Sequence, residues 1–376
     1  MKVISISTDR NIFATDAPVR ARMIEQGALV DEMHIVIFAR RSLGLLKETI
    51  PGTNVTIYPT NSVSVLTYIP DALAIASRIV KSMAREWVVS TQDPFETGIV
   101  GFALRFRYGI PLHVQVHTDP FSPHWRAGSL LNYFRYGIAQ FILHVADAVR
   151  VVSDRVRREV VRLRSDANSV FMVPIFVDTA QIETQTEDIR ASYPHASKIV
   201  LSVGRLETEK DFSLLIRSFR AVLEVEPQAL LLIVGSGSWH QALLTEIDVN
   251  DLDEKVRLLP WSHNIGSYYR AADCYVQSSR YEGWGMAVIE AMAHGTPVVM
   301  TDVGCAGEVV IDGVSGMVVP PRNEERLAQA IIQVLTNDEL RAQLVDGARE
   351  MVSKLATKAE TLELYKASWE YAYKKK

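Results

Sequence analysis

Short apolar runs alternate along this chain with longer stretches whose apolar positions recur at helical spacing. Residues 3–7, 33–38, 55–58, 87–90 and 112–117 have the length and the Val/Ile content of strands, and amphipathic segments of helical length separate most of them. That alternation predicts a parallel sheet with helices on both faces, because near-continuous apolar strands need cover on each side. After a helical region that includes residues 130–146, two further strands are expected at 148–152 and 170–174. The pattern then breaks. Residues 178–198 are polar, weakly periodic and contain Pro194, which marks a domain junction.

A second alternating series follows, with strands expected at 199–203, 230–234, 256–259, 274–277, 297–301 and 317–319. Helices are expected between them at 212–224, 239–247 and 285–293, and after Arg322 the pattern is all helical, at 324–335, 338–351 and 360–373. The chain therefore reads as α/β, with two doubly wound parallel sheets. The expected limits are a first domain at 1–178, a second at 179–355, and a terminal helix within 356–376.

Composition fits this picture. At 376 residues and 48% hydrophobic side chains the chain is long enough for two cores. A formal net charge of −4 argues against wholesale binding to nucleic acid. Charge is nonetheless local: six arginines (150, 155, 157, 158, 162 and 164) stand against Asp154 and Glu159. Together with the aromatic-basic run from His124-Trp125-Arg126 to Tyr133-Phe134-Arg135, they suggest peripheral contact with an anionic membrane, although a solvated helix face beside an apolar one is the better account of the arginines alone. Two cysteines, Cys274 and Cys305, suit a reducing compartment, and neither a leader nor an 18-residue apolar run is evident. The expected location is cytoplasmic.

The densest chemistry lies in 278–299. A polar turn, Ser278-Ser279-Arg280-Tyr281-Glu282, passes through Gly283 and Gly285 into a short apolar helix carrying Glu290, and leaves through Gly295 into a strand. The helix start offers free backbone N–H groups and a partial positive charge, which favour anions. Alone, the stretch also reads as a glycine turn between two solvated carboxylates. Upstream, the first two strands of this sheet end in glycine, as Val203-Gly204-Arg205-Leu206 and Val234-Gly235-Ser236-Gly237. The second turn lacks the third glycine of a dinucleotide fingerprint, which argues against a nicotinamide cofactor. Arg205 and Lys210 follow the first strand and precede a helix, an arrangement in which a fork and a point charge clamp a diphosphate.

The ordered set of Val203-Gly204-Arg205-Leu206 with Glu209-Lys210, Val234-Gly235-Ser236-Gly237, and Glu282 with Glu290 among their glycines and Ala291-Met292-Ala293 resembles family 4 of the retaining nucleotide-sugar glycosyltransferases. Val173-Pro174 with Val177-Asp178 resembles that family's interdomain crossover. The resemblance implies a GT-B fold, two Rossmann-like domains facing across a cleft, with the last helix crossing back to the first domain. It also implies roles. Arg205 and Lys210 hold the donor diphosphate, Glu290 accepts from the ribose hydroxyls, and Glu282 contacts the transferred sugar. The turns at Gly204 and Gly235 and the backbone of Gly283, Gly285, Met286 and Ala287 seat sugar and phosphate, and Pro260 and Trp261 lie near the base.

The chemistry is compatible with these residues. Breaking a glycosyl–diphosphate bond builds negative charge on the leaving group and oxocarbenium character on the sugar, so cations at the diphosphate matter most. No Asp-x-Asp motif is evident, and no metal or cofactor beyond the nucleotide-sugar co-substrate is expected. In the first domain, His117 at a strand end resembles the family's histidine beside the transferred sugar. His113 is assigned to the strand face opposite His117. Asp119 is expected to orient His117 or the acceptor, and Asp93 to line the site. The loop after the first strand, Thr8-Asp9-Arg10-Asn11-Ile12, lacks the glycine pair of many similar enzymes, which leaves Arg10 and Asn11 as candidates for acceptor contacts. The expected activity is transfer of a hexose, mannose or glucose, to a glycan or glycolipid hydroxyl. Another GT-B activity, such as nucleotide-sugar epimerisation, or an inactive binding subunit, are the alternatives.

Overall fold

The computed structural model describes residues 1–81, 84–178 and 187–375, so part of the expected junction, 179–186, lies outside the described residues. The chain divides into two compact units, Met1–Pro174 with Ala356–Lys376, and Ile175–Leu355.

The first unit contains β1 (Lys2–Ser7), α1 (Pro18–Gly27), β2 (Met33–Ile37), β3 (Glu48–Thr49), β4 (Val55–Pro59), α2 (Tyr68–Val80) and β5 (Trp87–Thr91). It continues with α3 (Glu96–Tyr108), β6 (Leu112–Val116), α4 (Pro123–Ala127), α5 (Leu130–Val145), β7 (Ala148–Val151), α6 (Asp154–Arg162) and β8 (Val170–Met172). The strands form one sheet in the order β3-β4-β2-β1-β5-β6-β7-β8. Every pairing is parallel except β3 with β4, and that two-residue edge strand was not expected from the sequence. It is too short to carry a period. Strands β5, β6 and β7 are buried at every position, their polar members Ser90, His113, Gln115 and Arg150 included. The sheet order reverses between β1 and β5, so the loops leaving those two strands lie at a topological switch point, where α/β sheets bind ligands.

The second unit contains β9 (Lys198–Val203), α7 (Phe212–Val225), β10 (Ala229–Val234), α8 (His240–Val249), β11 (Val256–Leu259) and α9 (Ile265–Ala271). Then come β12 (Cys274–Gln277), α10 (Met286–Ala293), β13 (Val298–Thr301), β14 (Met317–Val319), α11 (Glu324–Thr336) and α12 (Asp338–Ser353). Its sheet is parallel throughout, in the order β11-β10-β9-β12-β13-β14. The switch point falls between β9 and β12. Helix α7 turns Phe212, Leu215, Ile216, Phe219 and Val222 into the core at helical spacing.

The last helix, α13 (Lys358–Lys374), belongs to the first unit. A reciprocal capping box between Thr357 and Glu360 starts it, satisfying amides that the first turn leaves free. Tyr365 and Trp369 then enter the core beside Val3, Ile35 and Val173. Trp369 is 1% exposed and donates its indole N–H to Ser90 Oγ at 3.4 Å, so the ring is buried without an orphaned donor.

Candidate active site

The carboxyl edge of the second sheet gathers the candidate donor residues. In sheet order, β11 ends at Pro260 and Trp261, β10 at Gly235, β9 at Gly204 and Arg205, and β12 at the turn that carries Glu282. The loops after β9 and β12, on either side of the switch point, are tied together by side chains. Lys210 Nζ pairs with Glu282 Oε1, and Ser279 Oγ donates to the same oxygen at 2.8 Å. Arg280 forks onto both oxygens of Asp211 at 2.8 Å each, and Ser278 Oγ donates to the Lys210 carbonyl at 2.9 Å. Asp211 adopts a left-handed backbone (φ 48°), uncommon outside glycine, and the Arg280 fork holds it there.

The two glycine turns differ from their expected roles. The Gly204 N–H donates to Val234 C=O at 3.1 Å and the Gly235 N–H to Leu259 C=O at 2.9 Å, so neither amide is left for a ligand. Their contribution is room. A Cβ on Gly235 would stand 1.9 Å from the Gly204 carbonyl oxygen, whereas one on Gly204 would meet the Lys210 stem at 3.4 Å. Glycine at 235 lets two main chains touch, whereas the space at Gly204 would admit a methyl group beside the lysine stem at ordinary contact distance.

Helix α10 begins one residue later than expected. Gly285 is its N-cap with φ 104°, a conformation L side chains rarely adopt. The first intrahelical bond is Val288 N–H to Gly285 C=O at 3.1 Å, which leaves the Met286 and Ala287 amides ahead of it as the helix's free donors. Four residues on, Glu290 accepts from Tyr269 Oη at 2.7 Å. Burial raises the Glu290 pKa, and the Tyr269 hydrogen bond and nearby His294 oppose the rise. Tyr269 is fully buried and has no sequence signal beyond an aromatic pair on α9. Arg205 is different in kind, with 73% of its side chain exposed and a partner, Glu209 at 2.6 Å, that solvent screens.

In the first unit, His117 follows β6 and enters a buried polar network. Its Nε2 lies 3.1 Å from Gln115 Oε1, and its Nδ1 lies 3.3 Å from Arg150 Nη1. Gln115 Nε2 donates to Ser90 Oγ at 3.2 Å, and Ser90 Oγ faces His113 Nδ1 at 3.0 Å. His113 Nε2 meets Ser368 Oγ of α13 at 3.1 Å. His113, Gln115 and His117 thus share one face, as residues two apart on a strand must, and the expectation of opposite faces is wrong. Because Ser368 Oγ donates to Tyr365 C=O at 2.7 Å, it accepts from His113 Nε2–H. The remaining protons follow: Gln115 Oε1 accepts from His117 Nε2–H, and His117 Nδ1 accepts from Arg150. Burial and the Arg150 charge hold the His117 pKa well below its usual value, and burial pushes His113 down to about 3. Both rings are neutral, and both ring nitrogens of His117 are engaged inside the protein.

Arg150 therefore leaves the expected basic surface patch. It is fully buried, bonds the Val173 carbonyl through Nε (2.9 Å) and Nη2 (2.6 Å), and lies 4.4 Å from the Tyr365 ring centre. Arg164 binds the Leu143 and Ala146 carbonyls, while Arg157 and Arg158 pair with Asp154 and Arg162 with Glu159. What spacing made look like a basic stripe is one core cation and a mostly paired helix face.

The other acceptor-side candidates cap turns. Asp119 Oδ1 accepts from the Phe121 and Ser122 amides at 3.0 and 3.1 Å. Burial still raises its pKa against those bonds. Asp93 Oδ1 accepts from Phe95 N–H at 2.8 Å, and burial lifts its pKa to about 6. Arg10 Nε donates to Phe38 C=O at 2.9 Å, and Asn11 N–H is capped by Asp9 at 3.1 Å. Gln92, absent from the sequence candidates, bridges this switch point by accepting from Ser7 Oγ at 2.5 Å and Thr8 N–H at 2.8 Å. Among the described residues no three His, Cys, Asp or Glu side chains cluster as metal ligands do, and no helix is long and apolar enough to cross a membrane.

Comparison with known proteins bears on the family and the fold. Residues 185–351 match the family of glycosyl transferases group 1, and residues 27–181 match glycosyltransferase family 4. The chain is 34% identical over 290 residues to phosphatidyl-myo-inositol mannosyltransferase of Mycobacterium leprae, covering 74% of each protein. It is 25% identical over 400 residues to D-inositol 3-phosphate glycosyltransferase of Nocardiopsis dassonvillei, covering 95% of this chain and 89% of that one. Against mannosylfructose-phosphate synthase of Agrobacterium fabrum the match, 34% over 167 residues, spans 37% of that protein's length. Among solved structures, sucrose-phosphate synthase from Thermosynechococcus elongatus superposes with a TM-score of 0.80 at 22% identity, covering 98% of both chains. Anabaena HepE in complex with UDP-glucose superposes with a TM-score of 0.73 at 18% identity, again covering 98% of both. With a 34% identical relative matched along three quarters of its length and both family regions in place, this chain belongs to the family 4 glycosyltransferases and has their GT-B fold.

Proposed function

We propose that this protein is a retaining glycosyltransferase that moves a hexose, mannose or glucose, from a nucleoside diphosphate to a hydroxyl of a glycan or lipid-linked acceptor. The observation that carries the reading is the junction of Lys210 and Glu282 at the switch point of the second sheet, beside exposed Arg205 and the open start of α10. A lysine has three donors. One is spent on Glu282, which leaves two for a diphosphate oxygen. The relatives' names support the hexose: one is a mannosyltransferase, and HepE is complexed with UDP-glucose.

In the proposed reaction the bond from the sugar's anomeric carbon to the diphosphate oxygen breaks, and its electron pair stays with the diphosphate. Lys210, Arg205 and the Met286 and Ala287 amides stabilise that growing charge in place, with no metal required. The anomeric carbon bonds to the acceptor oxygen on the face the diphosphate leaves. The acceptor proton passes to the departing phosphate oxygen, which removes the need for a protein base. Glu282 accepts from sugar hydroxyls, Glu290 from the ribose through the oxygen Tyr269 does not occupy, and Trp261 lies against the base. His117, with both ring nitrogens engaged, is given no proton-transfer step.

The test is turnover of a panel of nucleoside-diphosphate hexoses with an NMR readout of the product's anomeric configuration. An α-linked product from an α-configured donor supports the reading. An inverted product, or no hexose donor bound or consumed, contradicts it.

A further inference from the structure

Helix α5 is apolar on both sides. Ala139, Ile142 and Leu143 face the core, as an amphipathic helix requires, yet Leu130, Tyr133, Phe134 and Phe141 face outward over three turns. Leu130 is 84% exposed and Phe134 70%. The apolar strip continues onto α3. Phe141 meets Phe102 edge-on at 5.0 Å, and Phe102 meets Phe106, itself 85% exposed, at 6.3 Å. An apolar strip running across two helices of a water-exposed face marks a contact surface.

Charge says what the contact is. Helices α3, α4 and α5 hold four arginines (105, 107, 126 and 135) and one carboxylate, Glu96. Glu96 is bound by Arg135 at 2.8 Å, and the adjacent Asp147 is bound by Arg105 through both oxygens, at 2.8 and 2.7 Å. No unpaired carboxylate remains on these helices, whereas Arg107 and Arg126 extend over Tyr108 and Tyr136. A second copy of the chain docked here about a twofold axis would bring these cations against one another. An anionic surface would not.

We propose that the α3–α5 face is a peripheral docking surface for an anionic phospholipid bilayer, with Leu130, Tyr133, Phe134, Phe141 and Phe106 entering the headgroup region and Arg107 and Arg126 meeting lipid phosphates. This moves the membrane contact away from the arginines of 150–164. It stands independently of the donor reading, since none of these residues belongs to that site.

The test is flotation of the full chain with phosphatidylcholine vesicles, with and without phosphatidylglycerol. The protein floats with the anionic vesicles and is released at about 1 M salt, where the Debye length is about 3 Å. Phe134→Ser with Phe141→Ser, and separately Arg107→Glu with Arg126→Glu, each weaken binding about tenfold or more. Phe134, Phe141 and Arg107 are exposed and Arg126 is half-buried, so an unchanged thermal transition checks that each variant folds. Absence of binding to anionic vesicles, or binding that neither pair alters, overturns the proposal. So does a dimer in sedimentation velocity that Phe134→Ser dissociates, since a second copy would then cover the face.

Discussion

Lys210 and Glu282 are 72 residues apart in sequence and joined by an ion pair, each with less than a fifth of its side chain exposed. The pair links the loops that leave β9 and β12, the two strands between which the sheet order reverses. The lysine stem passes over Gly204, and the two strand-end glycines, alike in sequence, differ in what a methyl group would meet. A methyl group on Gly204 meets Lys210 Cε and Cδ at 3.4 and 3.6 Å and Phe212 Cζ at 3.7 Å, all ordinary contact distances. Gly235→Ala drives a methyl group into a backbone carbonyl. We expect Gly235→Ala to destabilise the fold by about 3 kcal/mol, and Gly204→Ala to leave the thermal transition nearly unchanged while lowering kcat. Thermal unfolding and steady-state kinetics on both variants check the contrast, and equal losses of stability would refute it.

Tyr269→Phe removes the donor that opposes the burial-raised pKa of Glu290. In the proposed donor site Glu290 accepts from both ribose hydroxyls and Tyr269 best as a carboxylate, whose oxygens are all acceptors. The acid limb of kcat/KM for the donor therefore moves to higher pH, and the donor KM rises about fivefold, equivalent to about 1 kcal/mol. A pH profile identical to that of the unaltered protein would show that Glu290 does not bind donor in its ionised form.

Asp93 gives a stability prediction. Its folded pKa of about 6 lies above the unfolded value near 3.8, so between those values the folded chain holds a proton that the unfolded chain has lost. Its contribution to stability thus falls as pH rises through that window and stays lost above it, an effect of about 3 kcal/mol. Asp93→Asn retains the acceptor for Phe95 N–H and removes the penalty. Denaturant titration should show the variant gaining on the unaltered protein from pH 4 to pH 7. A constant difference across that range would contradict the assignment.

Arg150→Met leaves the Val173 carbonyl and His117 Nδ1 without their donor, while Gln115 Oε1 keeps His117 Nε2–H, and costs about 2 kcal/mol of stability. The groups that lower the His117 pKa besides burial are Arg150, Arg22 and His113. Removing the first of these raises the His117 pKa and frees its Nδ1. NMR titration of the ring, with donor turnover measured over the same pH range, should show a rise in the variant. An unmoved His117 pKa would show that Arg150 only fills the core.

Much of this was legible in the chain. All the parallel strands stood out because a strand buried on both faces is mostly apolar, and glycines at strand ends marked the turns, whereas the two-residue edge strand β3 was too short to show. The Lys210–Glu282 region was legible as two loops following strands of one sheet. Roles that depend on distant partners were not. Arg150 looked like the head of a basic stripe because its partners, Val173 and Tyr365, are remote in sequence. Tyr269 carries no local signal of its contact with Glu290. Asp119 and Asp93 were read as ligand-facing, yet each caps amides two residues on, a use of aspartate that short-range spacing also fits.

The most direct test of the donor site is turnover of a nucleoside-diphosphate hexose by Lys210→Ala and Glu282→Ala, with donor affinity followed by thermal stabilisation. The account predicts kcat lower by about 10²–10³-fold in Lys210→Ala, a loss in Glu282→Ala that depends on the sugar but not on the nucleotide, and retained folding in both. Rates equal to those of the unaltered protein in both variants would contradict it.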